Sequence, residues 1–178
     1  MKNIDIVRQY PNQGWRSKIN RMSQGLFLLG GVLLCNVVQA YTATASPTSC
    51  VNDTSIGTIA WSNPGNALAS DNSYATAINV KNNASTNYLK CTGFGFAIPA
   101  GSTINGITVY VERKTSGGTL RDVAMRLVKA GVIGTTDMST TTNYTTSDVV
   151  EAHGSAGNLW GTTWAVADIN ATNFGAAF

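Results

Sequence analysis

Ile107, Val109 and Val111 alternate with Thr108, Tyr110 and Glu112. Apolar and polar residues in strict alternation mark a β-strand with one buried face. Val123, Met125 and Leu127 repeat the pattern against Asp122, Ala124 and Arg126. Between the two runs lies Thr115-Ser116-Gly117-Gly118, whose glycines accept positive φ, so an antiparallel hairpin is expected. Upstream, Leu89 and Cys91 share one parity, while Phe94, Phe96 and Ile98 share the other. One extra residue near Thr92-Gly93, a bulge, would bring both sets to one face. Pro99-Ala100-Gly101-Ser102 then turns the chain into the Ile104 strand. Weaker strands are expected over 55–61, 76–80 and 160–166, and the Thr-rich stretch 134–146 reads as a long loop or a loosely held edge strand. No stretch beyond residue 40 sustains a 3.6-residue apolar repeat, and 168–174 has room for one turn of helix. Short strands joined by Gly- and Asn-rich turns indicate an all-β chain, an antiparallel β-sandwich of jelly-roll type.

The N-terminal part follows a different logic. Arg8, Arg16, Lys18 and Arg21 precede an apolar run from Gly25 to Val38, interrupted only by Asn36 and closing on Val38-Gln39-Ala40. A positive flank, a short apolar centre and a small-residue exit read as a secretory signal peptide over 1–40. The run falls short of the ~20 residues of a comfortable membrane span, although a retained anchor is the competing reading. The formal charge of +3 is largely a property of this leader, which holds five of the twelve basic residues. Beyond Ala40, seven basic residues face eight acidic ones. A net charge near −1 gives no electrostatic reason to expect nucleic acid as a partner. The expected organisation is a leader (1–40), an N-terminal extension (41–54) and one sandwich domain (55–178).

Cys35 lies inside the leader and is expected to leave with it. Cys50 and Cys91 are then the two thiols exposed to an oxidising compartment, where such a pair most often forms one disulfide. Two unrelated buried thiols are the alternative. Neither lies in a C-x-x-C pattern or beside a histidine, which weakens metal and redox readings.

Three blocks carry a resemblance. They are Trp61-Ser-Asn63-Pro64 with Asp71-Asn72-Ser-Tyr74-Ala75; the run from Gly93 through Phe94, Phe96, Ile98, Pro99, Gly101 and Ile104 to Gly106-Ile107; and Leu159-Trp160-Gly161-Thr-Thr-Trp164, continuing to Asp168-Ile169-Asn170 and Phe174-Gly175. They resemble an uncharacterised β-sandwich module of bacterial secreted proteins and phage virion or tail-associated proteins. The resemblance covers roughly 55–178 and implies a fold and an extracellular setting, with no catalytic residue to carry over. It also implies a closing strand beyond the Phe174-Gly175 block, so the domain is expected to lack its C-terminal strand and to self-associate through an open sheet edge.

Candidate chemistry is sparse. His153 is the single histidine, in the polar stretch Glu151-Ala-His153-Gly154, and reads as a solvated loop residue. As a general base it would need a nucleophile and an orienting carboxylate such as Asp148 or Glu151. Glu112 and Asp122 could face each other across the expected hairpin, but with Arg113, Lys114, Arg121 and Arg126 alongside they read as a solvent-face charge ladder. Asp71-Asn72 offers oxygen ligands for Ca²⁺, though a turn-forming role fits the loop better. Trp61, Tyr74, Trp160 and Trp164 are the candidate ligand-binding residues, since aromatic faces suit the apolar faces of sugar rings. Burial in a sandwich core is the competing reading for the tryptophans.

No nucleophile, base and oxyanion donor come together in the pattern, so catalysis is not expected, and no cofactor or metal is called for. The leading expectation is an exported, non-enzymatic structural or adhesive module of a surface or virion-like assembly, secreted, periplasmic or at the cell surface. Its partner would be a glycan or a protein surface, with no membrane contact after cleavage. A carbohydrate-binding module and a fimbria-type subunit completed by a donated strand are the alternatives.

Overall fold

A computed structural model of the chain describes residues 3–9, 40–81 and 83–178. The apolar run Gly25–Val38, expected as the centre of a signal peptide, lies outside them. Among the described residues, nine strands form two sheets. They are β1 (Asn3–Gln9), β2 (Ala40–Ala45), β3 (Ser49–Asp53), β4 (Tyr88–Thr92), β5 (Thr103–Arg113), β6 (Arg126–Lys129), β7 (Val132–Ile133), β8 (Val149–Ser155) and β9 (Gly175–Ala177). One sheet runs β2-β1-β5-β8 and the other β3-β4-β9-β6-β7, with every strand pair antiparallel. Among the described residues, helix is confined to a 3-10 turn at Pro64–Leu68 and to α1 (Val166–Asn170). The all-β expectation holds.

The alternation over 103–113 does what its period requires. Ile107, Val109 and Val111 are almost fully buried in the main core. Leu89, Cys91, Leu127 and Ala176 enter the same core from the other sheet. Phe174, without solvent exposure, meets Phe94 and Phe96 edge-on at 6.1 Å each and Trp164 at 5.5 Å. Such ring pairs contribute about 0.5–1.5 kcal/mol each beyond the area they bury.

The expected hairpin does not form. β5 pairs with β1 and β8, while β6 pairs with β7 and β9 in the other sheet. Both runs have an apolar inner face, which they satisfy equally well by lying in different sheets over a shared core. The alternation over 122–127 also breaks: Val123 is exposed, Ala124 is buried, and the strand starts only at Arg126. The connection 114–125 therefore crosses from one sheet to the other.

The parity change at Thr92-Gly93 is real, but its mechanism differs from a bulge within a strand. β4 ends at Thr92, and Gly93 and Gly95 take φ of 75° and 65°. Phe94, Phe96 and Ile98 reach the core from irregular chain. That chain is held by Asn170, whose side chain accepts from the Ile98 N–H and donates to the Ile98 carbonyl, both at 2.9 Å. The weaker strands over 55–61 and 76–80 reduce to isolated bridges, Ile59 with Thr86 and Ser62 with Thr76. Residues 160–166 are turn and the start of α1. Residues 134–146 form a loop. β9 sits between β4 and β6, with both of its backbone edges paired.

Candidate functional site

Two features stand out where the strand ends of both sheets meet the long loops: a buried polar cluster and a wide cleft beside it.

The cluster is built on β5 and β8. Arg113 ends β5, and its side chain, 4 % exposed, meets the fully buried Asp122 carboxylate through Nη1. Its Nη2 lies 3.3 Å from Glu151 on β8. Asp122 also accepts from the Thr140 N–H (3.0 Å) and from the Tyr144 hydroxyl (3.1 Å). Arg113 packs over the Tyr144 ring, 4.4 Å from its centroid. Burial, reinforced by the negative charge on Asp122, pushes the Tyr144 phenol well above its ordinary value, so it stays protonated and donates. A charge pair out of water needs such added partners, because Coulomb attraction alone does not offset the desolvation.

His153 corrects the sequence reading. It lies in strand β8, opposite Val109, and is 1 % exposed. The short polar stretch is a strand because β5 offers it a complete antiparallel ladder. Nδ1 lies 2.8 Å from the Met138 carbonyl and therefore carries the proton that bonds to it. Nε2 is buried, has no hydrogen-bond partner and stands 3.9 Å from Asp122 Oδ2. The charge-ladder reading of Asp122 is corrected too: its side chain is wholly shut off from water. Histidine, carboxylate and arginine thus meet in the interior, with Arg113 and Asp122 also on the lining of the cleft.

The aromatic candidates separate into two pairs. Trp160 and Trp164 are 3 % and 9 % exposed and belong to the core. Their indole N–H groups donate to the carbonyls of Ile107 (2.8 Å) and Leu159 (3.0 Å). Gly154, at φ 77°, makes the first contact possible, since a Cβ there would stand 2.6 Å from the Trp160 indole nitrogen. Trp61 and Tyr74 instead line the cleft, which has a volume of about 1500 Å³. Residues of the 66–87 loop and of the 111–124 segment line it, together with Tyr144 and Phe178. Trp61, Phe178 and Tyr144 form a ladder of rings at centroid distances of 6.2 and 6.5 Å. Across from it, the Lys114 ammonium sits 3.9 Å above the Tyr74 ring and pairs with Asp148 at 3.3 Å.

Asp71 accepts the Ser73 N–H at 2.9 Å, an Asx turn of the kind its loop suggested. Among the described residues, no three His, Cys, Asp or Glu side chains stand close enough to hold a metal ion. Tyr144 and Phe178 were missed as cleft residues. The signal was faint: Tyr144 is the single aromatic residue in the Thr-rich loop 134–146.

Cys50 and Cys91 form a disulfide between directly opposed residues of β3 and β4, with Cα atoms 4.1 Å apart. No helix among the described residues is long and apolar enough to cross a membrane. Compared with family models, with curated proteins and with solved structures, the chain matches none.

Proposed function

We propose that this chain is an exported, non-enzymatic adhesive module, a β-sandwich of jelly-roll type that serves a surface or virion-like assembly and engages its partner through the cleft. The observation that carries the reading is the composition of that cleft. Aromatic rings and neutral amide and hydroxyl groups make up much of its lining; of its charged groups, Arg113 pairs with Asp122 and Lys114 with Asp148, and Asp71, Lys81, Glu112 and Arg121 line it as well. A surface rich in rings and amides suits binding. The Cys50–Cys91 disulfide supports export, since such bonds persist in oxidising compartments. The signal peptide over 1–40 and the extracellular setting of the resembling module belong to the same proposal.

Fractionation of expressing cells tests export, with the chain expected in the medium or envelope and beginning at Tyr41. Cells displaying the full chain should adhere to a coated surface, and Trp61→Ala with Tyr74→Ala should abolish that adhesion. A cytoplasmic chain, or adhesion indifferent to both changes, would overturn the reading.

A second reading, a fimbria-type subunit completed by a donated strand, draws on one observation. β1 lies within the span read as the leader, yet it fills the position between β2 and β5. Cleavage after Ala40 would vacate that position for a strand from elsewhere.

A further inference from the structure

We infer that the cleft binds a neutral oligosaccharide, the segment of a longer glycan chain, through Trp61, Tyr74 and the asparagine side chains of its rim. The inference rests on the adhesive reading and names the class of its partner.

Size is the first argument. Sites for single small molecules have volumes of roughly 300–1,000 Å³. At about 1500 Å³ this cleft exceeds them and suits a stretch of polymer. Charge is the second. Arg113 and Lys114 are neutralised by Asp122 and Asp148. The other charged residues of the lining are two cations, Lys81 and Arg121, and two carboxylates, Asp71 and Glu112. A polyanion would find no net positive field here, so an acidic glycan or a nucleic acid is disfavoured.

Hydrogen-bond chemistry points the same way. Asn72, Asn79 and Asn143 line the cleft. A carboxamide both donates and accepts, which matches sugar hydroxyls that do the same. Tyr74 adds an aromatic ring to the same lining, with the Lys114 ammonium 3.9 Å above it. Trp61 contributes an indole ring whose N–H is already held by the Asn87 carbonyl at 2.8 Å, fixing its orientation at the end of the ring ladder. A preset ring loses little entropy when a sugar packs against it.

A peptide is the rival occupant. Extended peptides are commonly captured by strand addition to a sheet edge. Along the described residues of the 66–87 wall the backbone forms no strand, and its ladder contacts are the isolated bridges of Ile59 with Thr86 and Ser62 with Thr76. The wall can therefore meet a ligand with side chains and scattered polar groups, which is the manner of glycan recognition.

The test uses the full chain, expressed with its own N-terminal segment and purified after whatever processing occurs. Affinity electrophoresis and titration calorimetry are run with cello-, xylo-, malto- and chito-hexaose, with dextran sulfate and with a casein digest. The expected result is binding of at least one neutral hexaose, unchanged between 50 and 500 mM NaCl. Trp61→Ala should weaken it at least tenfold. Asn143→Ala, a change at an exposed position of the lining that should keep the fold, should weaken it about threefold or more with an unchanged thermal midpoint. Failure of all four neutral sugars, binding of dextran sulfate or casein peptides alone, or full affinity in a folded Asn143→Ala together with a folded Trp61→Ala would overturn the inference. Should Trp61→Ala fail to fold, Asn143→Ala alone decides. Sugar binding by a chain found in the cytoplasm would sink the export reading while upholding the cleft assignment.

Discussion

The Arg113 guanidinium and the Asp122 carboxylate form an ion pair in which both side chains are almost wholly removed from water, 4 % and 0 % exposed. The pair pins the end of β5 to the crossover that carries the chain into the other sheet. It also fixes Tyr144, which donates to Asp122 and stacks on Phe178 at the cleft. Removing one partner strands a buried charge and costs about 3–5 kcal/mol, whereas removing both together can be nearly neutral. Arg113→Met should therefore lower unfolding stability by that amount. Arg113→Met with Asp122→Leu should recover a large part of it, less the hydrogen bonds lost by Thr140 and Tyr144. Urea denaturation of the two variants and of Asp122→Leu, read as a double-mutant cycle, checks the coupling.

Tyr144 predicts an alkaline weakness. Its phenol is held well above the ordinary value of 10.0 in the folded chain, first by burial and then by Asp122. A group with a raised folded value contributes stability that is complete below its unfolded value and is lost as pH rises beyond it. Stability should accordingly fall from about pH 10 upward as the unfolded chain ionises first. Tyr144→Phe should remove much of that slope. At neutral pH it should cost about 1–3 kcal/mol for the lost bond to a charged acceptor. Urea midpoints at pH 7, 9, 10 and 11 would show it, and an unchanged alkaline slope in Tyr144→Phe would contradict it.

The acid side has its own group. Asp137 is half-exposed. Burial raises its carboxyl, but the N–H groups of Met125 and Ser139, at 3.0 and 2.8 Å, outweigh that and hold it below the ordinary 3.8. A depressed folded value means stability present above the unfolded value and lost as pH falls through the folded one. Asp137→Asn should therefore flatten the loss of stability below about pH 4. Thermal midpoints from pH 5 down to pH 2 provide the measurement, and an equally steep fall in Asp137→Asn would count against it.

The sequence was most legible where one side chain's preference decided the outcome. Period-two runs at 107–111 located a buried strand face, and the two cysteines beyond residue 40 indicated the bond that joins β3 to β4. Pairing was less legible, because an apolar strand face says what is buried and leaves open which strand lies alongside. Hence 107–112 and 122–127 looked like a hairpin and lie in different sheets. His153 was misplaced for a related reason: Val149–Ser155 becomes a strand through its ladder with β5, a tertiary effect that local polarity hides. Trp160 and Trp164 show the limit for sites, since ring exposure is set by packing and not by spacing.

The disulfide predicts a stability loss confined to the chain's covalent state. Closing a loop with a sequence separation of 41 restricts the unfolded chain and is worth about 3–4 kcal/mol in the loop-entropy picture. Cys50→Ala with Cys91→Ala should lower stability by about 2–4 kcal/mol while leaving the far-UV spectrum unchanged. Equal stability in oxidised and reduced protein would contradict it.

The last prediction concerns β1. In the four-stranded sheet it is bonded on one side to β2 and on the other to β5, opposite residues Thr103–Tyr110. If the chain is cut after Ala40, β1 leaves, and the backbone of β5 loses its ladder on that side. β2 joins the sheet through β1, so it is released as well. An unpaired strand edge over an apolar core recruits another strand, and a loose N-terminal strand in each copy is a ready donor. The chain beginning at Tyr41 should therefore associate, while the chain that retains Asn3–Gln9 should be a monomer. Light scattering on both forms, with matched far-UV spectra, makes the comparison. A synthetic Asn3–Gln9 peptide added in excess should return the shorter chain to monomer by refilling the position. If the shorter chain is a stable monomer by itself, β2 has moved across to β5, and the open-edge argument is wrong.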